Sequence, residues 1–179
     1  MGDKRNVYLI GPMGSGKTAV GKQLARKLGL QFVDSDAEIE RRTGVDITFI
    51  FEKEGETRFR ERERAVIAEL TGRDNLVIAT GGGTVINAEN RRNLADHGIV
   101  VYLRTGIEQQ LQRTRNAKNR PLLLDGDPHE ILGRLMAERG PLYEELATFS
   151  VDTGGQRVIT VVADILASLR EHGLEPLKK

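Results

Sequence analysis

Short apolar runs alternate along the chain with stretches in which apolar positions recur every three or four residues. Val7–Ile10 is the first run and reads as a strand buried on both faces. Lys17–Leu28 follows as a helix, with Val20, Leu24 and Leu28 on one face and Gly29 as its stop. Gln31–Val33 is a second short strand leading into Asp34, Ser35 and Asp36. Asp36 to Arg42 then reads as helix closed by Gly44, and Ile47 to Glu54 and Glu56 to Leu70 as two helical stretches divided by Gly55. Asn75–Ala79 predicts a strand ending in Thr80-Gly81-Gly82-Gly83. A polar helix around Glu89–Asp96, a strand Ile99–Leu103 and a helix Ile107–Arg115 come next. Asn116–Pro128 is polar, holds prolines and shows no period, so it reads as a loop. Glu130–Leu146 is helical and Phe149–Val151 a last strand. Arg157–Leu169 closes the chain as an amphipathic helix with Ile159, Val162, Ile165, Leu166 and Leu169 inward. Strands alternating with helices predict an α/β fold whose parallel sheet is covered on both faces. With neither an internal repeat nor a linker, residues 1–179 read as a single domain.

Composition narrows the function classes. At 39% apolar and 30% charged the chain is an ordinary soluble one, long enough for a proper core. A net charge of +1 supplies no global attraction to nucleic acid or to a membrane surface, so neither is an expected partner. Met1 to Arg5 lead directly into the first strand, with no signal peptide and no membrane-spanning run. The absence of cysteine rules out disulfides and suits a cytoplasmic protein. Three histidines, none paired at metal-ligand spacing, set zinc chemistry aside.

Gly11-x-x-x-x-Gly16-Lys17-Thr18 matches the phosphate-binding loop, and it lies where that loop must, between a strand and a helix. Gly14, Ser15, Gly16, Lys17, Thr18 and Ala19 are therefore candidate nucleotide-binding residues: backbone N–H groups and a helix N-terminus surround phosphates, and Lys17 reaches the terminal ones. The Thr18 hydroxyl is a candidate Mg2+ ligand, and the second should be an Asp closing a neighbouring strand. Asn75–Ala79 ends in glycines, which leaves Asp34; Asp36 would point into the same cleft at the carboxyl ends of the strands. A helix N-cap explains one of these aspartates, but two beside a phosphate loop favour function. A regulatory GTPase needs an Asn-Lys-x-Asp base-reading motif, which is lacking, and Asp152-x-x-Gly155 comes too late in the chain to be its switch. So short a chain has no room for the additional motifs of a nucleic-acid motor. A small-molecule kinase remains. A kinase for gluconate or a nucleoside monophosphate, or a regulator that keeps the loop without activity, stays open on these residues alone.

Gly11–Thr18, Asp34-Ser35-Asp36, Gly55-Glu56-x-x-Phe59-Arg60, Thr80–Gly83, Arg120-Pro121-Leu122-Leu123 and Arg139-x-x-x-Tyr143, in that order, resemble the shikimate kinase family over essentially the whole chain. The resemblance implies a three-layer α/β sandwich on a five-stranded parallel sheet of order 2-3-1-4-5, with a substrate-binding region at about 34–64 and a lid at about 116–128. It implies transfer of phosphate from ATP, with Mg2+, to the 3-hydroxyl of shikimate, on the route to chorismate and aromatic amino acids, by a cytoplasmic monomer. By the same resemblance Asp36 binds the reacting hydroxyl and is the candidate base, Arg60 and Arg139 hold the carboxylate, and Gly81, Gly82 and Gly83 let substrate approach the backbone. Arg120 is the lid arginine over the ATP phosphates, Arg113 lies along the adenine, and Gln156 and Arg157 border the base. Residue chemistry agrees for Arg60, whose planar fork suits a carboxylate and which has Glu63 one helical turn on. Arg58, Glu61, Arg62 and Arg64 read as solvated charges on the same helix.

Overall fold

Val7 and Leu9 face one way from the first strand and Tyr8 and Ile10 the other, and that alternation divides the interior into two cores. The computed structural model describes residues 5–115, 121–123 and 125–177. Its strands are β1 (Val7–Ile10), β2 (Gln31–Asp34), β3 (Leu76–Ala79), β4 (Ile99–Arg104) and β5 (Phe149–Asp152). They form one parallel sheet of order β2-β3-β1-β4-β5, as the resemblance implied. Helices α1 (Lys17–Leu28) and α7 (Val158–Glu171) cover one face, where Leu24, Leu28, Val162 and Ile165 pack on Val7, Leu9, Val77 and Val101. The other face carries α2 (Ser35–Thr43), α3 (Ile47–Thr71), α4 (Ala88–His97) and α6 (Pro128–Leu146), whose Ile39, Ile67, Leu94 and Tyr143 pack on Tyr8, Ile10, Ile78 and Tyr102. Helix α5 (Ile107–Thr114) follows β4 and lies against α6. None of the described helices is long and apolar enough to cross a membrane.

The two stretches divided by Gly55 occur as one element, α3, broken in direction at Gly55 (φ 83°, ψ 169°). That backbone region is open almost only to glycine, so the break is written into the sequence. Other boundaries move for local reasons. Asn75 has a left-handed backbone (φ 63°), which starts β3 one residue later than expected. Asp127 caps α6 by accepting from the His129 N–H, so the helix begins at Pro128 rather than Glu130. Short 3-10 turns at Thr84–Ile86 and Pro121–Leu123 were not foreseen, because three residues show no period. The rest of the expected loop at 116–120, and residue 124, lie outside the described residues. Ile159 is not inward but 59% exposed. The buried stripe of α7 is centred on Ile165 and includes Val161, which leaves Ile159 on its flank beside the half-buried Leu166.

The strand starts are tied together by one buried side chain. Asn6 Nδ2 donates to the Arg73 carbonyl (2.6 Å) and the Tyr8 hydroxyl (3.0 Å), and its Oδ1 accepts from the Leu76 N–H (2.9 Å). These bonds set β1 against β3, and so set the loops at their far ends against each other. Removing the amide strands a part-buried carbonyl and a buried N–H. Asn6→Ala is therefore expected to lower the unfolding free energy by about 2–4 kcal/mol, read by urea denaturation. A loss below about 0.5 kcal/mol would show that the amide does not link the strands.

Candidate active site

β1 ends at Ile10 and the chain turns through Gly11–Gly16 into α1. Gly14 (φ 77°) and Gly16 (φ 86°) hold left-handed backbone that side-chain-bearing residues rarely adopt. Gly16 supplies no side-chain cap, so the N-terminus of α1 faces the adjoining cleft with its donors and positive dipole end. Ser15 is buried beneath the turn, and Thr18 and Ala19 line the cleft. The Lys17 ammonium curls over the loop, donating to the carbonyls of Gly11 (2.7 Å) and Pro12 (2.8 Å) and to Ser15 Oγ (3.3 Å). Arg113, from α5, closes the far side by donating to the Gly14 carbonyl at 2.9 Å.

Asp34 ends β2 and performs two tasks that the sequence set against each other. Its Oδ1 caps α2, accepting from the N–H groups of Asp36 (3.0 Å) and Ala37 (3.1 Å). Its Oδ2 accepts from the Thr18 hydroxyl at 2.8 Å. The two candidate metal ligands thus present hard oxygens to one point of the phosphate-loop cleft. One carboxylate and one hydroxyl, completed by phosphate oxygens and water, is a donor set that fits Mg2+. No cluster of three His, Cys, Asp or Glu exists among the described residues to hold a metal by side chains alone.

Asp36, Glu40, Gly81 and Gly82 also line a second cleft. Ile47, Phe51 and Phe59 give it an apolar wall, and Arg60 and Arg139 a cationic end. Arg60 donates to Glu63 (2.9 Å) and Glu56 (3.3 Å). Burial works against the Arg60 charge, but Glu63 and then Glu56 outweigh it and hold the guanidinium protonated. Glu63 is itself buried, and its second oxygen accepts from the Thr84 hydroxyl at 2.9 Å. Arg139 is 4% exposed, its Nε has no hydrogen-bond partner, and it forms no ion pair among the described residues. Arg58, Arg62 and Arg64 pair with glutamates in solvent, as solvated helix charges should.

The lack of a side chain at Gly81 and Gly83 also bears on the protein's own packing. A Cβ on Gly81 would lie 2.8 Å from Asp36 Oδ1, and one on Gly83 would collide with the Arg60 guanidinium. These glycines first make room for the protein's own site residues.

Lys17, Thr18, Ala19, Asp34, Asp36, Arg60, Arg113 and Arg139 are thus brought around two clefts that share a wall. Gln156 and Arg157 are exposed in the β5–α7 connection and line neither cleft. They follow Thr153, whose carbonyl lies 3.5 Å from Arg113 Nη2. Arg120 lies outside the described residues. Sequence reasoning gave no role to Glu40 or to the apolar wall, although the spacing of Asp36 and Glu40 puts both on one face of α2. Burial first, and then the charges of Asp46 and Asp34, raise the Glu40 carboxyl above its ordinary range.

Comparison with known proteins agrees with this arrangement. Residues 13–170 match the shikimate kinase family. The chain is 51% identical over 173 residues to a shikimate kinase of Methylococcus capsulatus, covering 97% of each. It is 51% identical over 172 residues to one of Vibrio cholerae, covering 96% of this chain and 99% of the relative. A solved shikimate kinase from Acinetobacter baumannii in complex with shikimate superposes with a TM-score of 0.93 at 50% identity, covering 97% of each chain. The protein belongs to the shikimate kinase family.

Proposed function

We propose that this protein transfers the γ-phosphoryl group of ATP to the 3-hydroxyl of shikimate, giving shikimate 3-phosphate and ADP. The observation that carries the reading is a buried Arg139, without an ion-pair partner among the described residues, beside Arg60 in a cleft that shares Asp36 with the phosphate-loop cleft. A ligand that fills this space needs an anionic end, hydroxyls and a small carbon ring to meet the apolar wall. Shikimate has all three, and the relative solved with shikimate bound shares the fold over nearly the whole chain.

In this reading Arg139 and Arg60 hold the carboxylate, and the apolar wall of Ile47, Phe51 and Phe59 packs on the ring. The 3-hydroxyl then meets Asp36 at the shared wall. Asp36 accepts its hydrogen bond, aims the oxygen at the γ-phosphorus and receives the proton as the new O–P bond forms and the bond to ADP breaks. The N-terminus of α1, Lys17 and Ser15 surround the phosphates, and Arg113, Gln156 and Arg157 lie toward the base. Thr18 and Asp34 are the residues that would hold Mg2+, which when bound would neutralise phosphate charge. Arg120, in the lid at about 116–128, supplies charge to the transferring group, and the region at about 34–64 forms the substrate site. The protein acts as a cytoplasmic monomer, with neither nucleic acid nor membrane as partner.

A coupled ADP-release assay across shikimate, quinate, gluconate and nucleoside monophosphates tests the substrate. Turnover is expected with shikimate, and turnover of gluconate without shikimate would refute the reading. Within that assay the two ends of the cleft should separate. Asp36→Asn keeps the size but removes the proton acceptor, and is expected to lower kcat by about 10²–10⁴-fold. Arg60→Ala removes a contact made before and during transfer, so it should raise KM for shikimate more than it lowers kcat. Equal behaviour of the two variants would contradict the proposed substrate orientation.

A further inference from the structure

Arg139-x-x-x-Tyr143 marks two positions of α6, and only the arginine has a part in the site described so far. Four residues apart, the two side chains lie one turn from each other on the same helix face. Tyr143 is fully buried and stacks on Tyr102 of β4, with ring centroids 5.0 Å apart. Its hydroxyl donates to the carbonyl of Gly82 in a bond of 2.5 Å. Arg139 packs against the same glycine, its Nη1 lying 3.5 Å from where a Cβ on Gly82 would stand. Burial pushes the phenol well above its ordinary pKa, against the pull of Arg139, so it stays a neutral donor.

All three carbonyls of the triglycine turn are engaged by the protein. Gly81 O accepts from the Thr84 N–H and Gly83 O from the Ile86 N–H, both at 3.1 Å, and Gly82 O accepts from Tyr143. The Gly81 N–H donates to Ser35 Oγ at 3.2 Å. No hydrogen bond among the described residues engages the N–H of Gly82 or Gly83. Across a trans peptide the carbonyl and the next N–H point in opposite directions. Anchoring Gly82 O on the phenol therefore turns the Gly83 N–H away from α6, at a residue that lines the second cleft beside Arg60. Two successive backbone donors in such a turn make a small anion-accepting concavity.

We propose that Tyr143 is a positioning residue for substrate. By holding Gly82, against which Arg139 packs, its hydroxyl fixes the Gly82–Gly83 peptide relative to Arg139, so that backbone N–H and guanidinium meet the same anionic or hydroxylated ligand. The inference rests on the shikimate reading for the identity of that ligand. Tyr143 touches no reacting atom. Its loss therefore weakens shikimate binding in ground and transition states alike and leaves the ATP side untouched.

Tyr143→Phe keeps the ring and its stacking on Tyr102 while deleting the hydroxyl, and it separates this role from simple packing. The measurements are KM for shikimate, KM for ATP and kcat, together with the rise in Tm produced by saturating shikimate and, separately, by ADP. The expected result is a KM for shikimate raised about fivefold to tenfold. kcat and KM for ATP should stay within about twofold of wild type. The Tm rise with shikimate should shrink while that with ADP is retained. An unchanged KM for shikimate would overturn the proposal. So would parallel losses on both substrates, which would make Tyr143 a packing residue only. Failure of the wild-type protein to phosphorylate shikimate would instead overturn the substrate reading, and this inference with it.

Discussion

A guanidinium held 4% exposed, with no ion-pair partner among the described residues, is the constraint on which the site depends. Burying an uncompensated charge costs several kcal/mol, so such a group persists only where surrounding structure holds it and a ligand answers it. Arg139 is held by a long helix and by the triglycine turn packed against it. Its neighbour Arg60 shows the contrast. There Glu63, itself buried, neutralises the charge and fixes the guanidinium, and Thr84 takes up the spare carboxylate oxygen. Among the described residues the cleft therefore has one cation that is satisfied internally and one that is not, which favours an anionic ligand at that end.

The parallel sheet decides what stands opposite that charge. With β1 central and β3 beside it, the loops after β1, β2 and β3 open on the same edge, where open α/β sheets bind ligands. The phosphate loop follows β1, the Asp34–Asp36 segment follows β2, and the triglycine turn follows β3. Asp36 thus bounds both clefts, and a hydroxyl bound there lies at the boundary with the phosphates. Asn6, at the opposite end of β1, keeps that register by tying β1 to β3 through its amide.

Much of this was legible in the chain because the relevant signals are local. Gly11 to Thr18 announce a strand-to-helix turn around phosphate, and the structure has that turn with α1 starting at Lys17. Gly55 announced a break that occurs there, with a backbone region other residues avoid. What escaped is what depends on the third dimension. Ile159 fits the helical period of α7, yet the sheet meets that helix along a stripe centred elsewhere. The triglycine turn read as a place for substrate, and nothing local told that Asp36 and Arg60 also take the space a Cβ at Gly81 or Gly83 would fill. Asp34 read as either a cap or a metal ligand. One carboxylate oxygen caps α2 and the other meets Thr18, an outcome no one-dimensional pattern distinguishes. Tyr143 was visible in its motif, but its role follows from a hydroxyl reaching a carbonyl 61 residues away in the chain.

The direct test of the charge at Arg139 is to remove its complement from the ligand rather than from the protein. Shikimate and its neutral methyl ester differ at the carboxylate and share every hydroxyl. Titration calorimetry of the wild-type protein with each, in the presence of ADP, isolates that difference. Binding of the ester is expected to be weaker by about 100-fold or more, because it leaves a buried guanidinium unanswered. Equal affinity for acid and ester would contradict the assignment of the cationic end of the cleft to the substrate carboxylate.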